Sequence, residues 1–365
     1  MVDLPVDPSE LTSLTEGLPG MHAAAQVRRG VQLWQALSRP EVGLTPHTIV
    51  HRQNKMVVRY YKPAADRAVG TPVVIVPSMI NKAWICDLEQ DRSLVAGLAA
   101  LGHPTFLVDW GEPGPEDADT TIGKVVLDVL RRAVDRCCRH VGADQAFVLG
   151  YCQGGVFSTM FAALRPKRVK GLVMLATPVK MREAGRFADF CRAEVCDPDA
   201  LIGEDGLVDS KTMAPAFKLL DPMGNWHKFI ALEAASHDPV RLRRALARER
   251  WLEENVAVPG ALAKEFIVHG YQNDELLGGT WQLRGETVHL GDITCPVLVT
   301  PCRRDFIAPP ASCLPVVDAL TGSDDVTLDM QPTGHIGVVV GSHGPRAYYP
   351  LLDRWFRRVA GEEVP

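Results

Sequence analysis

The sequence predicts an α/β fold: a mostly parallel, doubly wound sheet with a helical cap inserted between its later strands. Three observations carry that expectation. From KMVVRYYKP (55–63) onward, short runs rich in Val, Ile, Tyr and Phe alternate with helical segments. Runs such as PVVIV (72–76) and GLVMLA (171–176) are apolar throughout, as strands covered on both faces must be. Between residues 178 and 287 the alternation gives way to helical stretches, and it then resumes.

Element by element, the chain begins with a polar stretch. A helix follows, because GMHAAAQVRRGVQLWQALS places Val27, Val31, Trp34 and Leu37 at three- and four-residue spacing. After KMVVRYYKP (55–63), strands are expected at 72–76, 104–109, 145–150 and 170–176, and helices at about 90–101, 121–141 and 154–165. Strands joined through helices require crossover connections, which make the sheet largely parallel. The insertion contains the helical stretches SKTMAPAFKLL (210–220), PVRLRRALARERWLEEN (239–255) and GALAKEFIVHGYQN (260–273), with no buried strand expected. CPVLVTP (295–301), a helix near 311–320, VTLDMQP (326–332) and a helix at 346–360 close the chain. The expected organisation is an N-terminal helical segment (1–45), a first core part (46–177), the cap insertion (178–287) and a second core part (288–365).

Composition narrows the function classes. With 39 basic and 44 acidic residues the net charge is -5, which offers nucleic acid no general attraction. No apolar run reaches the roughly 18–20 residues of a membrane span, and the start MVDLPVDPSELTSL is acidic where a signal peptide is basic. A cytoplasmic protein is expected. The nine cysteines contain no C-x-x-C pair and no His/Cys cluster at zinc spacing, so neither a disulfide scaffold nor a metal site is expected. Most of them should be small core residues.

One cysteine stands apart. FVLGYCQGG (147–155) runs from an apolar strand into a helix, and Gly150-Tyr151-Cys152-Gln153-Gly154 has the form G-x-C-x-G, the thiol version of the nucleophile elbow of the α/β-hydrolase fold. The sharp turn lifts Cys152 above the carboxyl ends of the strands, and the helix that starts there turns its positive end toward a thiolate. Alone, an Asp in a loop is usually a cap, and a His is usually a surface or satisfied core group. Here Asp305 follows CPVLVTP and His335 follows VTLDM, in the chain order nucleophile, acid, histidine that this fold uses. A thiol is only a few per cent ionised at neutral pH, so His335 is expected to deprotonate Cys152, with Asp305 orienting the imidazole or acting as a second base. The oxyanion hole is expected from the backbone N–H groups of Gln153 and, in the loop PSMINK, of Ile80.

With these residues in place, the chain resembles polyhydroxyalkanoate synthases, particularly their short class III type. MINKAWICDLEQDRSLV, FLVDWGEP, VLGYCQGG, YQNDELLGG, DITCPVLV and TGHIG carry the resemblance, which runs from about residue 45 to the C-terminus. It implies a cysteine acyltransferase that polymerises 3-hydroxyacyl-coenzyme A into polyester and releases coenzyme A. Cys152 would carry the acyl or growing chain as a thioester, and Asp305 would help to activate the 3-hydroxyl. Coenzyme A belongs to the substrate, and no other cofactor is implied. A second synthase subunit, a homo-oligomer and a place at the polyester granule surface are further expectations. The family usually follows this Asp with His, whereas here Phe306 follows Asp305.

A rival reading keeps the same triad but moves a single acyl group to a small alcohol or amine, or to water as a thioesterase. A non-catalytic binding subunit is opposed by the intact Cys152, Asp305 and His335. Among other residues, Cys137 and Cys138 are expected in the core, and Cys86 is expected to be buried or to line the pocket. Tyr271, Gln272 and Asn273 match the family or simply tie the cap to the core. Asp238 is a plausible helix cap, and RLRRALARER (241–250) is expected to be a solvated face, with coenzyme A phosphate binding the less favoured alternative.

Overall fold

The computed structural model describes residues 21–37, 39–64, 69–211 and 224–362, so most of the helix expected at 210–220 lies outside the described residues. The chain divides into two compact units, one formed from its N-terminal part and residues 221–254, the other from residues 43–220 and 255–365.

The smaller unit is helical. Its described helices are Met21–Ala36, Gly224–Ala235 and Pro239–Glu253. A single amphipathic helix cannot bury its own apolar stripe, and the N-terminal helix packs on Gly224–Ala235. Sequence periodicity marks the stripe but not its partner, which is some 200 residues away. Lys228 Nζ lies 3.7 Å from the centre of the Trp34 ring and pairs with Glu249 and Glu253 at 3.5 and 3.1 Å. Asp238 caps the third helix as expected, its carboxylate accepting from the N–H groups of Val240 and Arg241 at 3.0 and 3.1 Å.

The larger unit is built on eight strands: β1 Thr48–Gln53, β2 Met56–Tyr61, β3 Val73–Val76, β4 Thr105–Asp109, β5 Ala146–Tyr151, β6 Val169–Leu175, β7 Val297–Thr300 and β8 Val326–Leu328. Their order across the sheet is β1-β2-β4-β3-β5-β6-β7-β8. Only β1–β2 and β2–β4 pair antiparallel; every other pair in this sheet is parallel. All residues of β3, β5 and β7 are buried, which is why these strands read as unbroken apolar runs rather than alternating ones.

Several details depart from the sequence expectation. β1 went unread because TIVHRQ is a half-exposed edge strand with polar residues on it. The helix expected at 311–320 is two short pieces, Pro310–Cys313 and Val316–Ala319. Pro315 falls at the break, where it lacks an N–H and disfavours helix at the residue before it. The strand expected at 326–332 pairs regularly only over β8, and an isolated bridge, Cys302 to Gln331, continues it toward the next loop. The insertion also contains a short buried pairing, Leu207–Val208 against Val258–Pro259, too brief to leave a periodic signal.

Candidate active site

At the end of β5 the chain turns sharply into the helix Gln153–Leu164. Cys152 occupies the turn with φ 56 and ψ -125, a conformation that non-glycine residues seldom adopt. It persists because the surroundings over-determine it. Its N–H donates to the Leu175 carbonyl at 3.0 Å, and its own carbonyl accepts from the N–H groups of Gly155 and Val156 at 2.9 and 3.3 Å. The flanking glycines allow the close approach of strand and helix. A Cβ on Gly154 would lie 2.0 Å from the Val76 carbonyl oxygen, and one on Gly150 would lie 2.4 Å from the Gly155 Cα.

Asp305 and His335 arrive on the loops after β7 and β8. Those loops are stitched together by Arg303 N–H to the Gln331 carbonyl at 2.8 Å and Arg304 N–H to the Thr333 carbonyl at 2.9 Å. Asp305 is buried, and both its oxygens are engaged. Oδ1 accepts from the N–H groups of Ile307 and Ala308, each at 2.8 Å, while Oδ2 lies 2.6 Å from His335 Nδ1. That contact leaves Nε2 as the nitrogen available to Cys152, whose thiol lies within electrostatic reach of the imidazole. Burial by itself would depress the imidazole, but the charges of Asp305 and Cys152 and the hydrogen bond to Asp305 outweigh it and raise the His335 pKa to about 10. An imidazole that holds its proton this firmly is a strong base toward the thiol. The Tyr151 hydroxyl donates to the His335 carbonyl at 3.1 Å, fixing the histidine from the nucleophile strand.

Of the three side chains, only Cys152 is partly exposed. Seven of the nine cysteines are buried, Cys86, Cys137 and Cys138 among them, and burial pushes the Cys86, Cys191, Cys295 and Cys302 thiols up to about 12. Such thiols are inert packing groups. Among the described residues, no group of three or more His, Cys, Asp or Glu side chains could hold a metal ion.

The loop after β3 lies against the start of the nucleophile helix. Gln153, whose backbone N–H is one candidate oxyanion donor, accepts the Met79 N–H on its side-chain oxygen at 3.0 Å and the Ser78 hydroxyl at 3.3 Å. The Ile80 N–H, the second candidate donor, makes a long 3.4 Å contact to Ser78 Oγ. The Trp110 indole donates to the Pro77 carbonyl at 2.9 Å, and the Val256 N–H donates to the Ile80 carbonyl at 3.0 Å. Sequence spacing gave no signal for Tyr151, Trp110 or Val256, because each acts through the backbone of a residue distant in the chain.

The remaining candidates divide. Tyr271 is buried, its ring 5.1 Å from Phe187 and 5.8 Å from Phe266, and it is within electrostatic reach of Cys191 and Cys152. Gln272 Nε2 ties two turns of the insertion by donating to the Cys191 and Cys196 carbonyls at 3.1 and 3.2 Å, and Asn273 bonds Glu275. Phe306 is half-exposed beside Asp305, and the Asp305–His335 contact forms next to it.

Two family models match the chain: the α/β hydrolase fold over residues 71–193, and the N-terminus of poly-beta-hydroxybutyrate polymerase over residues 37–98. A poly(3-hydroxyalkanoate) polymerase subunit from Allochromatium vinosum is 31% identical over 318 residues, spanning 86% of this chain and 89% of the relative. The chain belongs to the poly(3-hydroxyalkanoate) polymerase family. A second family relative, from Synechocystis sp., is 29% identical over 334 residues, spanning 89% of this chain and 88% of its own. This polymerase-family chain shares its fold with a solved hydrolase from Pseudomonas aeruginosa at a TM-score of 0.51 and 17% identity, covering 86% of this chain and 99% of that one. The α/β-hydrolase fold expected from the elbow is therefore the fold observed, and the family is the one the sequence motifs resemble.

Proposed function

We propose that this chain is a polymerising acyltransferase that joins 3-hydroxyacyl groups from coenzyme A thioesters into a polyester, using Cys152, His335 and Asp305. The observation that carries the proposal is the elbow cysteine within electrostatic reach of a buried histidine whose Nδ1 lies 2.6 Å from a buried carboxylate. The arrangement sits in a chain that belongs to the poly(3-hydroxyalkanoate) polymerase family.

In this reading His335 Nε2 takes the Cys152 proton, and the thiolate attacks the thioester carbonyl. The oxyanion collects the N–H groups of Gln153 and Ile80. As the intermediate collapses, the coenzyme A sulfur leaves and takes the proton from the imidazolium. Cys152 now holds the acyl group as a thioester. Exchange between two thioesters is nearly isoenergetic, so the group stays activated. A 3-hydroxyl, from the next substrate or from the chain end, then gives its proton to His335 and attacks. The new bond is an oxygen ester, and the proton returns to the Cys152 sulfur as it leaves. Asp305, with both oxygens held by protein donors, suits orientation of the imidazole and stabilisation of the imidazolium. Its help in activating the 3-hydroxyl would pass through His335. The sequence of steps balances without a metal or a further cofactor.

A second subunit belongs to the proposal, since the relatives are described as polymerase subunits. Self-association, a cytoplasmic site and action at the granule surface belong to it too. No helix among the described residues is long and apolar enough to cross a membrane.

The test is incubation with 3-hydroxybutyryl-coenzyme A, with and without a candidate second subunit, following thiol release and sizing the product. Continuous release with a high-mass polyester is expected, and Cys152→Ala should abolish both acyl-enzyme formation and release. Free acid or a small conjugate instead of polymer would move the function to a thioesterase or single-transfer enzyme. Turnover retained in Cys152→Ala would remove the mechanism.

A further inference from the structure

An oxyanion donor works only if it is already aimed before charge develops, because a loop that must reorganise loses most of the benefit. Residues 77–82 carry one candidate donor, the Ile80 N–H, yet form no regular element of their own up to Asn81. Within the loop the Ile80 N–H makes only the long 3.4 Å contact to Ser78 Oγ, so its placement rests mainly on contacts from outside the loop.

Those contacts bracket the Met79–Ile80 peptide on both sides. On one side, the Met79 N–H donates to Gln153 Oε1 at 3.0 Å, and Gln153 is buried. On the other, the Ile80 carbonyl accepts from the Val256 N–H at 3.0 Å, and the Asn81 side-chain amide donates to Asn255 Oδ1 at 2.5 Å. Asn81 and Asn255 also face each other as an isolated antiparallel bridge. The first grip comes from the residue that follows the nucleophile. The second comes from a segment 174 positions along the chain that contributes no reacting group.

We propose that the Asn81–Asn255 pair, with the adjoining Val256 to Ile80 hydrogen bond, is a positioning device that fixes the Ile80 N–H as an oxyanion donor. The inference rests on the proposed acyl transfer at Cys152. The asparagines act through the Met79–Ile80 peptide held between Gln153 and themselves. Asn255→Ala removes the acceptor of the amide, whereas Asn255→Asp retains an oxygen in its place. Both asparagines are only partly buried, so the added charge of Asp can be solvated.

The experiment compares two reactions of the same thiol. Acylation of Cys152 by 3-hydroxybutyryl-coenzyme A in a single turnover passes through an oxyanion. Alkylation by iodoacetamide does not. Asn255→Ala and, independently, Asn81→Ala should slow acylation by about 10-fold or more, short of the 10²–10³-fold seen when such a donor is removed outright. Alkylation should stay within about two-fold of the parent protein, since it needs only the Cys152–His335 contact. Asn255→Asp should recover most of the acylation rate. The proposal is overturned if acylation is unchanged in both alanine variants, or if alkylation falls in parallel with acylation in whichever variant folds. Failure of the underlying reading looks different: the parent itself would not acylate, or Cys152→Ala would still release coenzyme A.

Discussion

Cys152 adopts a positive φ and retains it because three backbone hydrogen bonds and two close glycine contacts leave the chain no alternative. In the proposed mechanism its reactivity depends on His335, and that of His335 on Asp305. Asp305→Asn removes the charge that most strongly raises the imidazole and leaves burial, which lowers it. We expect the His335 titration to fall well below 10, as read by NMR of the ring, and coenzyme A release to drop by about 10²–10⁴-fold, the usual worth of a general base. An unchanged titration would mean that the carboxylate does not govern the imidazole. Tyr151→Phe removes a hydrogen bond to the His335 carbonyl, worth about 1 kcal/mol. A few-fold fall in kcat with KM unchanged is expected, and equal falls in stability and rate would assign Tyr151 to the fold alone.

At the level of elements, the placement of Cys152 depends on how closely one helix approaches one strand. A Cβ on Gly154 would press on the Val76 carbonyl oxygen at 2.0 Å, and a backbone atom cannot swing aside as a side-chain end can. Gly154→Ala should therefore cost about 1–3 kcal/mol of stability, as overpacking does, and tilt the helix that carries the Gln153 N–H. Urea unfolding and Cys152 acylation measure the two effects; normal values of both would show that the helix shifts freely. The elements themselves were legible in the sequence to different degrees. β3, β5 and β6 were readable because burial on both faces leaves continuous apolar runs. β1 is not, because an edge strand carries polar residues, and the sequence presents the helix after β7 as one piece although Pro315 divides it.

For the larger unit as a whole, the buried Asp305–His335 contact couples the chemistry to folding. The folded pKa of His335 lies above that of the unfolded chain, so the bound proton stabilises the native state. That contribution is fully present below the ordinary imidazole value of about 6.5 and is lost as pH rises through about 10. Unfolding midpoints in urea should fall between pH 7 and pH 10, and the slope should flatten in Asp305→Asn; parallel slopes would separate His335 from stability. The sequence by itself determined the α/β-hydrolase fold, the polymerase family and the identity of the three candidate catalytic side chains. Those signals are local: apolar runs, a five-residue elbow, and a fixed chain order of strand-end residues. Only the tertiary structure decided what surrounds them. It revealed that Asp305 has both oxygens occupied, that Tyr151 grips the His335 carbonyl, and that Asn255 holds the loop bearing Ile80. The physical reason is that such contacts join backbone and side-chain groups from distant parts of the chain, and a hydrogen bond across 174 positions leaves no periodicity in either partner's neighbourhood.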